Sequence, residues 1–257
     1  MSDDNVEGGI GRGIMGFFGL ISFSTILPLN IHTTIEEMAK FTWLWPMIGA
    51  MIGLVVGCFG FATVDLIHLS PFIAAALIYS FSIWFTGFHH LDGLIDFGDG
   101  LMVHGTPKKK IEVMRDKRIG TGGIAYLLMV GLITFAAIGY APAALIFYIL
   151  IISEMAAKMG IVSCAALSKP FPDGTGRSFI DSMNKKRFLA SLVLTSAVGF
   201  LIFNTIGVVG ILSGMIAGFI VAIVSRKNFE YATGDVLGTS NEVARMLAIL
   251  IMVTIII

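Results

Sequence analysis

Residues 69–100 read LSPFIAAALIYSFSIWFTGFHHLDGLIDFGDG. Twenty residues of almost unbroken apolar character run straight into three carboxylates, Asp92, Asp96 and Asp99, spaced four and three apart. On a helix that spacing stacks the carboxylates on one stripe, with His89 a turn earlier. Like charges on one face repel and disfavour an isolated helix, and a hard divalent cation such as Mg²⁺ is the simplest group that offsets them. The alternative is a solvated acidic loop, favoured by Gly93, Gly98 and Gly100, since glycine weakens a helix. Charge abutting a membrane-length apolar run is costly and marks a functional site.

The rest of the chain agrees with a membrane setting. Of 257 residues, 56% are hydrophobic and 13% charged, and the mean hydropathy is +0.90. That excludes an ordinary soluble domain. The zero net charge gives no footprint for nucleic acid. Cys58 and Cys164 lie far apart in apolar runs and read as small core residues. The acidic start, MSDDNVEGG, lacks the basic character of a cleaved leader. The expected fold is all-α: one integral-membrane domain over 1–257, a polytopic helical bundle with about seven spans and polar catalytic loops on the cytoplasmic face.

Expected spans are Trp43–Phe61, with Trp43 and Trp45 as interfacial anchors, then Leu69–Phe88, Gly122–Tyr140 and a run from Pro142 to about Leu167. A hairpin of Phe188–Phe203 and Ile206–Ser225 follows, then Ala244–Ile257, which crosses only if its helix starts earlier. Gly13–Leu29, broken by glycines and stopped at Pro28, reads as a first span or, in preference, as an interfacial segment. Three polar loops, 89–120, 168–187 and 226–243, fall on one face, and 13 of the 17 Lys and Arg residues lie in or beside them. The positive-inside rule makes that face cytoplasmic, in a multi-pass protein of the cell membrane.

Each loop carries candidate chemistry. Thr106-Pro107 opens a short helix expected to run to Gly120, holding Lys108-Lys109-Lys110, Glu112, Arg115, Asp116 and Arg118. Arginine forks suit phosphate oxygens, so Asp116 and Arg118 read as functional, whereas the three lysines read in preference as contacts to lipid headgroups. Gly120-Thr-Gly-Gly123 opens a helix whose amides could meet an anion. The second loop, KPFPDGTGRSF, sets Lys169 and Arg177 around two glycines, as a phosphate cradle or as a proline-led turn. In the third, YATGDVLGTSNE, Asp235, Asn241 and Glu242 offer hard oxygen ligands; Thr239, Ser240 or Asn241 alternatively caps the last helix. Glu154 and Lys158, four apart within a span, read as a mutual ion pair.

At these loops the chain resembles the cobalamin synthase family, the adenosylcobinamide-GDP ribazoletransferases. The family's F-H-L-D-G-L-x-D-x-x-D-G matches His90–Gly100, its M-x-D-x-R-x-G-T matches Met114–Thr121, and its G-x-T-G-D-x-L-G-A-x-N-E matches Tyr231–Glu242, with Thr239 where alanine is commoner. Thr25–Pro28 matches its T-x-L-P. The second loop departs, having Lys169 to Gly176 where the family often carries R-P-Y-A-R-P-E-G-L-G, and Lys117 replaces a small polar residue. The resemblance implies Mg²⁺-dependent attack by α-ribazole, or its 5′-phosphate, on adenosylcobinamide-GDP in a membrane lipid setting, with GMP leaving; a homo-oligomer is compatible with it. It implies metal binding by Asp92, Asp96 and Asp99, with Asp235 and Glu242 as further ligands. Phosphate contacts fall to Arg115, Asp116, Arg118, Lys169, Arg177 and Asn241, and catalysis to Asp92 and Asp96, with a carboxylate or His90 accepting the hydroxyl proton. The competing readings are a CDP-alcohol phosphotransferase, whose D-x-x-D-G-x-x-A-R pattern lacks its A-R here, and a secondary transporter, which would place charges near the midplane of broken helices.

Overall fold

The computed structural model describes the backbone of residues 3–257 and the side chains from residue 13 onward. The acidic N-terminal stretch read for a leader falls outside that side-chain description. Among the described residues eleven α-helices follow in order: α1 Asp3–Ser24, α2 Ile35–Ala39, α3 Trp45–Phe61, α4 Pro71–Phe85, α5 His89–Met102, α6 Pro107–Met114, α7 Thr121–Tyr140, α8 Ile146–Leu167, α9 Gly176–Asp181, α10 Lys185–Phe229 and α11 Gly234–Ile256. Among the described residues five helical segments are long and apolar enough to cross a membrane, and six if α4 and α5 form one bent span. The 45-residue α10 is in fact two arms, broken at Phe203 and Asn204 (φ 49°). Phe188 and Phe219 meet ring to ring at 5.6 Å across the fold-back, so residues 185–202 and 205–229 form the expected hairpin. Counting both arms and α4 gives seven apolar arms, a polytopic helical membrane bundle.

The axis of the bundle is α8. Residues 149–165 of α8 are buried without interruption, as befits a helix apolar on every side. Glycines let neighbouring backbones press against it: a Cβ on Gly53 would meet Ile151 Cα at 2.6 Å, and one on Gly214 would meet Ala156 Cα at 2.9 Å. Of α1, Gly13–Ser24 is the apolar part, shorter than a crossing.

Several local expectations change. Trp45 is 2% exposed and donates to Ser24 Oγ at 2.8 Å, so it locks α1 onto α3 instead of anchoring an interface. Cys164 is buried as expected, but Cys58 is on the exposed outer face of α3. The helix after Thr106 does begin with the Thr106 cap, yet stops at Met114, six residues early. There Asp116 accepts from Arg118 N at 3.1 Å and turns the chain. The last helix starts at Gly234, with Thr233 as its N-cap position, so Thr239, Ser240 and Asn241 lie inside it and do not cap it. That early start gives α11 23 residues, enough to span.

Candidate active site

The chain turns out of α4 through Gly87 (φ 70°) and Phe88 (φ 60°), and α5 leaves at 94° to α4. Thus α5 runs across the end of the bundle, outside the spanning direction. It is held against the start of α11: Thr239 Oγ1 donates to the Gly93 carbonyl at 3.0 Å, and a Cβ on Gly93 would lie 2.8 Å from the Asp235 carbonyl oxygen. This crossing brings Asp92, the neighbour of Gly93, beside Asp235, although five helices separate α5 from α11 in the chain. A cleft of about 440 Å³ opens there, lined by Asp92, Asp96, Asp116 and Asp235, with Arg115 and Lys117.

The electrostatics of the cleft follow from that convergence. Burial, then the carboxylates of Asp235, Asp92 and Asp99, push Asp96 up to about 7. Asp99 faces elsewhere. It accepts from Gly120 N at 2.7 Å and Gly123 N at 2.8 Å, so the anion met by the opening amides of α7 is this carboxylate itself. Among the described residues no three His, Cys, Asp or Glu side chains close into a metal cage. Asp92, Asp96 and Asp235 instead line an open cleft with hard oxygens, a donor set that suits Mg²⁺ with its retained waters and phosphates.

The remaining predicted residues divide. Asp116 and Arg118 form an exposed fork, Nη2 to Oδ2 2.6 Å, and the guanidinium holds the Asp116 carboxyl down at about 2. Arg177 lies apart, bonded to the Pro172 carbonyl at 2.8 Å and to Asp181 at 3.3 Å. Lys169 sits 4.8 Å over the Tyr231 ring. Asn241 and Glu242 are fully buried beneath the cleft: Asn241 accepts from Lys158 Nζ at 2.7 Å, and Glu242 accepts from Arg245 at 2.5 Å and from Asn241 Nδ2 at 2.9 Å. Glu154 pairs with Arg245, at 2.8 and 3.1 Å, and not with Lys158 as the local spacing suggested. His90 is also internal. Its Nε2 is 3.4 Å from Lys158 Nζ, its Nδ1 has no partner, and it borders a separate cavity of about 60 Å³.

Four participants escaped the sequence reading. Lys117 lines the acidic cleft. Arg245 is the cation between two buried glutamates; its place at i+3 from Glu242 was the available signal. Phe171 and Tyr231, each two residues or fewer from a basic or bridging position in its loop, line a second cavity sharing Arg115 with the cleft.

Known proteins share this pattern. Residues 16–253 match the family described as cobalamin-5-phosphate synthase. A protein of Methanococcoides burtonii named adenosylcobinamide-GDP ribazoletransferase is 32% identical, over 90% of this chain and 88% of its own. Proteins of the same name from Methanosarcina barkeri and Pyrococcus furiosus are 32% and 28% identical, over 93% and 91% of this chain and 91% and 97% of theirs. No solved structure matches the chain. With all but its first 15 and last four residues inside one family pattern, and with Asp92, Asp96, Asp116 and Asp235 gathered at a single cleft, this chain belongs to the cobalamin-5-phosphate synthase family.

Proposed function

We propose that this chain transfers the adenosylcobinamide-phosphate group of adenosylcobinamide-GDP to α-ribazole or its 5′-phosphate, releasing GMP, with Mg²⁺ at the cytoplasmic membrane face. The observation that carries the reading is the convergence of Asp92, Asp96 and Asp235, from α5 and α11, on one cleft that also holds Arg115 and Lys117. A hydroxyl oxygen forms a bond to the phosphorus next to the corrinoid side chain, and the bond from that phosphorus to the GMP oxygen breaks. Bound Mg²⁺ would neutralise charge on the diphosphate and favour departure of GMP. Asp92 and Asp235 would hold the cation, and Arg115 and Lys117, which line the same cleft, steady phosphate oxygens. Asp96, with its carboxyl near neutrality, accepts the hydroxyl proton. His90 is set aside for that role because it borders the other, smaller cavity. Basic residues gathered at the three loops support the cytoplasmic assignment.

The test is GMP release by the detergent-purified protein from adenosylcobinamide-GDP plus α-ribazole, with Mg²⁺ and with EDTA. Release that needs both substrates and the cation is expected; release indifferent to EDTA overturns the metal role, and no release overturns the transfer.

A further inference from the structure

Beside the acidic cleft lies a second cavity of about 430 Å³, and Arg115 lines both. Its position is set by a contact between two loops distant in sequence. Phe171 N donates to the Ala232 carbonyl at 2.9 Å and Ala232 N donates to the Lys169 carbonyl at 2.8 Å. This short bridge stands the Phe171 and Tyr231 rings edge to face at 5.9 Å and 88°. The Arg115 guanidinium covers Phe171 at 4.5 Å from the ring centre. Three charged groups complete the lining: Lys108 and Glu112 from α6, and Glu230, which ends α10 in a left-handed conformation (φ 65°). The volume is that of a small-ligand site. The Arg115 plane laid on Phe171, beside Tyr231 whose ring carries Lys169 Nζ at 4.8 Å, offers a stacking platform for a heterocyclic base.

We infer that this cavity is the base subsite for the leaving nucleotide and that it selects guanine. The inference rests on the nucleotide-displacement reading above. Guanine presents two adjacent donors, N1–H and the N2 amino group, and one acceptor, O6. Glu112 and Glu230 accept from the donors and Lys108 donates to O6, while Arg115 reaches from base to phosphate across the shared wall. Adenine reverses that edge and sets its N1 lone pair against a carboxylate. The benzimidazole of α-ribazole, once glycosylated, has no N–H and would leave both carboxylates without a partner. A purine carrying donors is therefore the occupant that the charges fit.

Equilibrium binding of radiolabelled GMP to the purified full-length protein, with no corrinoid present, tests this independently of turnover. GMP is expected to bind, IMP, which lacks the N2 amino group, about tenfold more weakly, and AMP about 100-fold more weakly. The double variant Glu112→Gln/Glu230→Gln changes two exposed side chains; it should weaken GMP at least about tenfold and level GMP with IMP. Phe171→Ala should weaken GMP and IMP alike and Phe171→Trp should restore both, with the KM for α-ribazole within about twofold throughout. Equal competition by GMP, IMP and AMP, unchanged GMP affinity in the double variant, or a rise in the α-ribazole KM in place of the GMP effect overturns the inference. If GMP binds in the expected pattern while no transfer occurs, the transferase reading fails and the guanine subsite stands.

Discussion

Gly93→Ala probes whether the α5–α11 crossing positions the chemistry. The added Cβ would stand 2.8 Å from the Asp235 carbonyl oxygen and 2.9 Å from its Cα. Both are backbone atoms and have no rotamer to give way. Comfortable contact begins at about 3.5 Å, so the helices must part by roughly half an ångström or more. Overpacking of this kind costs about 1–3 kcal/mol, and alanine returns about 0.5–1 kcal/mol through its better helix propensity. The protein should therefore stay folded, with a slightly lowered melting temperature. The separation falls on the carboxylates themselves, since Asp92 precedes Gly93 and Asp235 is the residue struck. A misplacement of about 1 Å can cost about 100-fold in rate, so kcat/KM should fall at least about tenfold. Gly131→Ala in α7 is the control, because its Cβ would meet only Tyr79 at 3.5 Å, an ordinary contact. GMP release and tryptophan-monitored melting would be compared for both. Gly93→Ala within twofold of wild type, or Gly131→Ala equally impaired, refutes the positional argument.

Asp92→Asn should lower turnover at least about 100-fold while membrane insertion and melting are retained; a normal rate refutes its role in the cleft. Arg245→Met leaves Glu154 and Glu242 buried without their cation and should cost about 3–5 kcal/mol, read as a lost monodisperse peak in detergent. Adding Glu242→Gln, which leaves Glu154 balanced by Lys158, should recover it, and a stable single variant contradicts the pairing. For Asp96 the folded carboxyl titrates near 7, above its ordinary value of 3.8. The folded chain then holds more protons than the unfolded chain between those values, so without divalent cations its stability falls as pH rises through that window. Melting in EDTA should drop from pH 5 to 8, Mg²⁺ should reverse the drop at pH 8, and Asp96→Asn should flatten it; a rise with pH counts against this.

Hydropathy made the spans legible because each apolar run has lipid or bundle on every side, and the turn at Asn204 was visible as the polar pair Asn204-Thr205 between two such runs. What local pattern missed was decided by partners far away in the chain. The i,i+4 spacing of Glu154 and Lys158 offered a pair, but Arg245 and Asn241, from α11, reach them first. Asp92 and Asp99 share a helical stripe, yet seven residues separate them by about 10 Å along the axis. One end of the stripe meets α11 and the other meets the first turn of α7. The polar start of α11 looked like a loop because its hydroxyls and amide turn inward to α5 and α8, where no lipid demands apolar residues. Trp45 resembled an interfacial anchor until α1 supplied Ser24 for its indole N–H.

The buried charges explain how an open cleft stays in register. Glu154 and Glu242 carry two negative charges against Arg245 and Lys158, so the interior set balances without drawing on the cleft. Such a set is a weak source of net stability, since desolvation offsets the attraction. Its geometry, however, admits one alignment of α11 on α8: Arg245 must reach Glu154 while Asn241, four residues earlier, reaches Lys158. Sliding α11 by one turn would move the Arg245 donor and the Asn241 acceptor by about 5.4 Å and strand all four charges. The same slide would carry Asp235, six residues before Asn241, away from Asp92 at the α5 crossing. Polar residues inside the bundle thus act on the chemistry by fixing where α11 presents its carboxylate, although Arg245, Glu154 and Lys158 lie outside the cleft.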